Sequence, residues 1–244
     1  RTRTTFAGSP KIIHDGTKAG PSPSPPVPIF RGYDANGLYY EYRHGCRVTT
    51  IDDEYKVFVI DLLNTSLCDE ILRFTDHHCN TCPRGEGWRQ IFEYTRMDLP
   101  CCEIYGMHQI SMWLSHTVKT ILGEIFNNPT EAAKLAPRTW REPHLLRYLN
   151  LPHYPVHTGV RMHYDGSHFT WQLMLNEPSH YVGGGTYFRC LGKTVFLEKG
   201  QILVHPGALF HKGLDIKYGC RTLMICFMDG FDPKIEDPGA QEQD

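Results

Sequence analysis

The chain has 244 residues, 41% of them hydrophobic and 21% charged, with 14 His, 9 Cys and a formal net charge of −2 at pH 7. This is the composition of a soluble globular chain with material for one large core or two small ones, and no apolar run approaches the length of a membrane span. Near-neutral charge gives no global pull on nucleic acid or anionic membranes, so any contact with either would need a local basic groove. Residue 1 is Arg, without a Met start or an apolar leader, and the expectation is an N-terminus that was processed or trimmed. Nine Cys is rich for a cytosolic protein of this size. With the sequon Asn64-Thr65-Ser66 it favours the secretory pathway or ER lumen over cytoplasm and nucleus. Cys79, Cys82, Cys101 and Cys102, with His77 and His78 nearby, are open to three readings: disulfides, packed thiols, or a structural zinc of non-standard spacing.

Residues 1–30 read as an extended tail ending in Pro21-Ser22-Pro23-Ser24-Pro25-Pro26-Val27-Pro28, which favours polyproline II geometry without a core. It is a linker or strap, or a mimic of a proline-rich substrate. The remainder, 31–244, reads as one domain, with 31–144 as strand and helix support and 145–233 as the core. Alternating aromatic and polar residues from Tyr39 to Thr50 predict an edge hairpin, and Lys56-Val57-Phe58-Val59-Ile60 predicts a strand. Ser66-Leu67-Cys68-Asp69 opens a helix with a capping-box-like start, and Ile71, Leu72 and Phe74 lie on one side of it before its end near His78. Trp88 to Tyr94 is a further strand candidate after a loop at 84–87. A second helix, about Glu103 to Phe126, carries Ile104, Met107, Ile110, Leu114, Val118, Ile121, Leu122 and Ile125 at helical spacing, with Met107 and Trp113 read as core. Asn127 to Glu142 reads as loop, and Pro143 returns the chain to extended structure.

Eight short strands follow at near-even spacing: 145–149, 160–164, 169–175, 186–190, 194–197, 201–204, 210–214 and 222–228. They argue for a mainly β fold, a jelly-roll core flanked by α-helices. Gly183 to Gly185 relieve crowding at a bend, and Leu191-Gly192-Lys193 is a turn. On a strand, His163 and Asp165 share a face, so an imidazole and a carboxylate can aim at one point. His211, after the apolar run from Gln201 to Phe210, brings a second imidazole from another strand. Two His and one carboxylate on one face of a metal leave positions open, the arrangement of non-haem Fe(II) oxygenases. Arg221 opens the alternating run Arg221-Leu223-Ile225-Phe227 and points its guanidinium inwards, where it needs an anion. His168 and His205 are expected to support the ligands rather than join them, and Trp171 and Tyr187 are candidates for peptide contact or for core packing.

Several stretches together resemble the Fe(II)- and 2-oxoglutarate-dependent dioxygenases of the prolyl 4-hydroxylase and procollagen lysyl hydroxylase branch. They are His163-Tyr164-Asp165-Gly166-Ser167-His168-Phe169-Thr170, Gly183-Gly184-Gly185-Thr186-Tyr187-Phe188, His205-Pro206-Gly207 through His211, Gly219-Cys220-Arg221 and Phe227-Met228-Asp229. The resemblance implies a double-stranded β-helix core and Fe(II) held by His163, Asp165 and His211. It also implies 2-oxoglutarate gripped at its far carboxylate by Arg221 and by Tyr148 of Arg147-Tyr148, with Tyr154 as the alternative. O2 would be the oxidant and ascorbate an optional reductant. The implied activity is hydroxylation of an aliphatic C–H on a peptidyl proline or lysine, with a peptide or protein as partner. The same core also hosts oxidation of nucleobases and small metabolites, and silent binding modules.

Overall fold

The computed structural model describes residues 31–33, 39–62, 64–81, 89–90, 97–152, 154–235 and 237. The proline-rich tail, Cys82 and the loop at 84–87 fall outside them. So does most of the strand expected from Trp88 to Tyr94, of which Arg89–Gln90 is seen.

In chain order the elements begin with strands β1 (Arg31–Tyr33), β2 (Tyr39–Arg43), β3 (Cys46–Asp52) and β4 (Val57–Asp61). Helix α1 (Ser66–Thr81), β5 (Arg89–Gln90), β6 (Met97–Pro100), α2 (Met107–Ile125), α3 (Pro129–Ala132) and β7 (Ala136–Pro137) come next. Then follow β8 (His144–Leu151), β9 (Tyr154–His157), β10 (Phe169–Met174), β11 (Tyr181–Gly183), β12 (Thr186–Phe188), β13 (Lys193–Val195), β14 (Gln201–Pro206), β15 (His211–Gly213) and β16 (Ile216–Asp229).

The fold is mainly β, a jelly roll of two antiparallel sheets with helices against the larger one. That sheet runs β1-β2-β3-β4-β14-β10-β16-β8-β6-β5, and the smaller runs β13-β12-β15. The expected edge hairpin is β2 and β3, closed by His44 and Gly45, both at positive φ as a two-residue hairpin turn requires. Because β4 pairs with β14, the N-terminal strands continue the sheet that carries the core.

Register decides which side chains meet. Trp171, Cys226 and Val204 are opposite one another, as are Gln172, Ile225 and Leu203. Directly opposed residues share a face, and the two faces alternate along each strand. Trp171, Phe169, Leu173 and Met224 pack with Ile71, Leu114, Val118 and Ile121 of α1 and α2 in one cluster; Leu203, Met174, Leu223 and Ile225 fill the space between the sheets with Phe188 and Leu209. The apolar stripe of α2 was legible for this reason.

Five expectations change. The segment 160–164 is not a regular strand: only His163 and His211 form a bridge there. Val160 N–H bonds Gly213, His163 N–H bonds His211 and Asp165 N–H bonds Gly207. Three residues on one side match two on the other, then two match four, so no continuous ladder can form. At the start of α1, the capping acceptor is Asn64 rather than Ser66: its Oδ1 accepts from the Ser66 backbone N–H at 3.0 Å and from the Ser66 hydroxyl at 2.7 Å. Trp113 is half exposed rather than core, and the second helix starts at Met107, after a short 3₁₀ turn at Cys101–Glu103. The stretch 127–142 contains α3, capped by Asn128, and β7, which pairs with the end of β16.

Candidate metal centre

His163, Asp165 and His211 converge. His163 Nε2 lies 3.2 Å from Asp165 Oδ1, and His211 Nε2 lies 3.6 Å from Asp165 Oδ2. Among the described residues this is the one group of His, Cys and acidic side chains close enough to hold a metal ion. The strand pair predicted for His163 and Asp165 is absent, yet the bridge to His211 and the Asp165–Gly207 bond aim both side chains inwards.

Hydrogen bonds to backbone carbonyls assign the proton on each ring. His163 Nδ1 is 2.7 Å from the Arg161 carbonyl and His211 Nδ1 is 2.8 Å from the Leu209 carbonyl. A carbonyl only accepts, so each Nδ1 carries a proton, and in a neutral ring Nε2 then presents a lone pair. Both Nε2 atoms and the carboxylate face one another, and a divalent cation satisfies all three once the rings are neutral. Burial drives His211 towards the neutral ring, against the pull of Asp165. Burial also opposes ionisation of Asp165, but the neighbouring imidazoles and the Thr170 hydroxyl outweigh it and hold the carboxyl well below the usual carboxylate range. Neutral imidazole and ionised carboxylate are the protonation states a divalent metal requires.

The pocket in front of these groups has a volume of ≈ 30 Å³ and is walled by Leu146, Val160, Ile225 and Phe227. Arg221 and Tyr148 line it from the larger sheet, where they are directly opposed. Arg221 is 1% exposed, its Nε has no partner, and its guanidinium carbon lies 5.3 Å from the centre of the Tyr148 ring. It also hydrogen-bonds the Tyr181 hydroxyl, whose own deprotonation burial opposes. Asp165 is the only carboxylate among the described residues lining this pocket. A buried guanidinium is thus left facing the pocket, where an anion would complement it. Gly184 makes space for it: at φ +73, a Cβ there would stand 3.2 Å from Arg221 Cδ. The side chain of Tyr154 is outside the described residues.

A search against protein-family models finds no match. The human multifunctional procollagen lysine hydroxylase and glycosyltransferase LH3 is 29% identical over 182 residues, 71% of this chain and 23% of that protein. Over that stretch the chain is similar to the procollagen lysine hydroxylases, which supports the resemblance to the lysyl and prolyl 4-hydroxylase-like branch of the 2-oxoglutarate dioxygenases. It spans about a quarter of that relative's length. The viral collagen prolyl hydroxylase of Paramecium bursaria Chlorella virus-1 superposes with a TM-score of 0.54 at 16% identity, over 73% of this chain and 98% of that one. A Trichoplax adhaerens prolyl hydroxylase in complex with a hypoxia inducible factor peptide fragment gives 0.54 at 14% identity, over 72% and 84%. These two likenesses speak for the dioxygenase fold.

Around the candidate site stand Thr170, Ser167 and Arg138, to which sequence reasoning gave no role. Thr170 donates to Asp165 Oδ2 at 2.5 Å, and Ser167 lies 3.1 Å from the Thr170 hydroxyl. The Ser167 turn packs against Gly207 so closely that a Cβ there would meet the Ser167 carbonyl at 2.2 Å. Arg138 donates to the Asp165 carbonyl at 3.1 Å. The pattern His-x-Asp-x-Ser-x-Phe-Thr contained Ser167 and Thr170 as motif letters, but nothing in it said which atoms they bind. His205 is wholly buried beside His211, ring centres 4.7 Å apart, and burial pushes its pKa down to about 3. Trp171 is buried on the helix side of the sheet, away from the pocket, so its candidacy for peptide contact falls. Of the cysteines weighed for zinc or disulfides, Cys101 is a buried thiol and Cys102 is exposed beside it.

Proposed function

We propose that this chain is an Fe(II)- and 2-oxoglutarate-dependent hydroxylase acting on an aliphatic C–H of a peptidyl proline or lysine. The observation that carries the reading is the convergence of His163, Asp165 and His211 across one pocket from the buried Arg221. When bound, Fe(II), 2-oxoglutarate and O2 supply the oxidation that replaces C–H by C–OH, with succinate and CO2 as co-products. The chain's own share is to bind and orient. His163, Asp165 and His211 would hold the metal, while Thr170 fixes the Asp165 carboxylate. Arg221, beside Tyr148, would hold the far carboxylate of 2-oxoglutarate. Leu146, Val160, Ile225 and Phe227 keep water from the reacting centre. Residues 31–244 form the catalytic domain in this reading, with 145–233 as its core. A peptide substrate is favoured by the lysine hydroxylase kinship and by the peptide held by the Trichoplax neighbour.

The test is anaerobic loading with Fe(II) and 2-oxoglutarate, then O2 in the presence of proline- and lysine-containing peptides and a nucleic-acid panel. Succinate release with a gain of one oxygen on a peptide is expected. Oxidation confined to nucleic acid would replace the substrate reading, and a chain that takes up no Fe(II) would end the catalytic one.

A further inference from the structure

On the outer side of the metal centre, away from the pocket, four side chains form a closed clasp around the segments that carry the ligands. Tyr164 stands between His163 and Asp165, and Phe210 immediately precedes His211. Their rings stack with centres 4.7 Å apart and planes at 38°. The guanidinium of Arg189 lies 4.4 Å from the centre of the Phe210 ring and reaches the Tyr164 hydroxyl at 3.5 Å. Closing the ring from the C-terminal segment is Asp237, whose side chain has no exposed surface. Its Oδ2 accepts the Phe210 backbone N–H at 2.7 Å, and its Oδ1 accepts from Arg189 Nη2 at 3.3 Å. The Phe210 carbonyl in turn accepts the Arg189 backbone N–H at 3.0 Å.

The ladder around 160–165 is broken, so the two ligand-bearing segments are joined by few backbone bonds. A buried carboxylate held by a guanidinium and an amide is a rigid fixture, because leaving any of the three unpaired is costly. We propose that Asp237, with Arg189, is a positioning residue for the metal: it fixes the Phe210 peptide, and through it the orientation of His211 and the seat of Tyr164. This rests on the reading of His163, Asp165 and His211 as metal ligands.

The experiment is calorimetric Fe(II) titration of the metal-free full chain under anaerobic conditions at 15 °C, paired with thermal unfolding of the same metal-free samples. Asp237→Ala is expected to bind Fe(II) about tenfold more weakly, the range seen when support behind a ligand is removed. Asp237→Asn, which keeps an oxygen for the Phe210 amide, should recover part of the loss. Arg189→Gln, which leaves that amide bond in place, should show a smaller loss and decides the matter if Asp237→Ala does not fold. A purely structural role would lower the unfolding temperature and leave the affinity of the folded variants at the wild-type value; that result overturns the proposal. A wild-type chain that takes up no Fe(II) removes the metal reading itself, and this proposal with it.

Discussion

Thr170 shows how one hydroxyl conditions the centre. It donates to the Asp165 oxygen nearer His211, which leaves the other oxygen towards His163. Thr170→Val keeps the shape and removes the donor, so the carboxylate can turn. We expect Fe(II) affinity to fall about tenfold with little change in circular dichroism; unchanged affinity would make the contact incidental. Arg221 acts at the opposite wall. Losing a charged hydrogen-bond partner costs about 2–3 kcal/mol, so Arg221→Ala should raise the 2-oxoglutarate concentration for half-maximal succinate release by roughly 30- to 150-fold. Fe(II) affinity without co-substrate should be unaffected. A 2-oxoglutarate dependence matching wild type would remove Arg221 from that site.

The helices bear on the site only through the larger sheet, and their interface can be tested apart from it. Leu114 of α2 is fully buried in the cluster that contains Trp171 and Met224. Leu114→Ala should cost about 2–5 kcal/mol of stability, read by denaturant unfolding, with Fe(II) affinity of the folded protein retained. The cysteines report the same docking: burial pushes the thiol of Cys68 up to about 11 and those of Cys101 and Cys226 still higher. At pH 8 all three should resist thiol reagents in the folded state, while exposed Cys102 reacts, and Leu114→Ala should speed labelling of the buried ones. These elements were legible in the sequence because periodicity and burial coincide in them, as along α2 and from Val57 to Ile60. The convergence of His163, Asp165 and His211 was legible because spacing and chemistry coincide, and the inward placing of Arg221 because its run alternates. What stayed hidden depends on distant pairing. The broken ladder beside His163, the Arg138 bond to Asp165 and the Asp237 clasp join residues 27 or more positions apart. Local pattern carries no trace of such contacts, and the extended reading of 160–164 failed there for that reason.

Across the molecule, the buried metal-site imidazoles set how the metal-free fold responds to acid. His205 and His211 are both held in the neutral form by burial, with pKa values pushed down from the ordinary 6.5, that of His205 to about 3. An unfolded chain protonates these rings near pH 6.5 and the folded chain does not, so between 6.5 and the folded values the unfolded state binds more protons. Stability is therefore full above pH 6.5 and falls as pH drops, each ring costing roughly 1 kcal/mol per pH unit. Asp165 acts lower: its carboxyl is depressed, so its contribution is present above the ordinary carboxylate range and is lost only as pH falls through and below that range. Metal-free protein should then lose unfolding free energy steadily from pH 6.5 to 4.5, and His205→Gln, which has no ring to protonate, should reduce the slope by about one proton. Saturating Fe(II) binds only the deprotonated centre and should raise stability most at neutral pH, with the gain shrinking as protons compete. A flat profile between pH 6.5 and 4.5, or an unchanged slope in His205→Gln, would show that the buried rings accept protons in the folded state as readily as in the unfolded one.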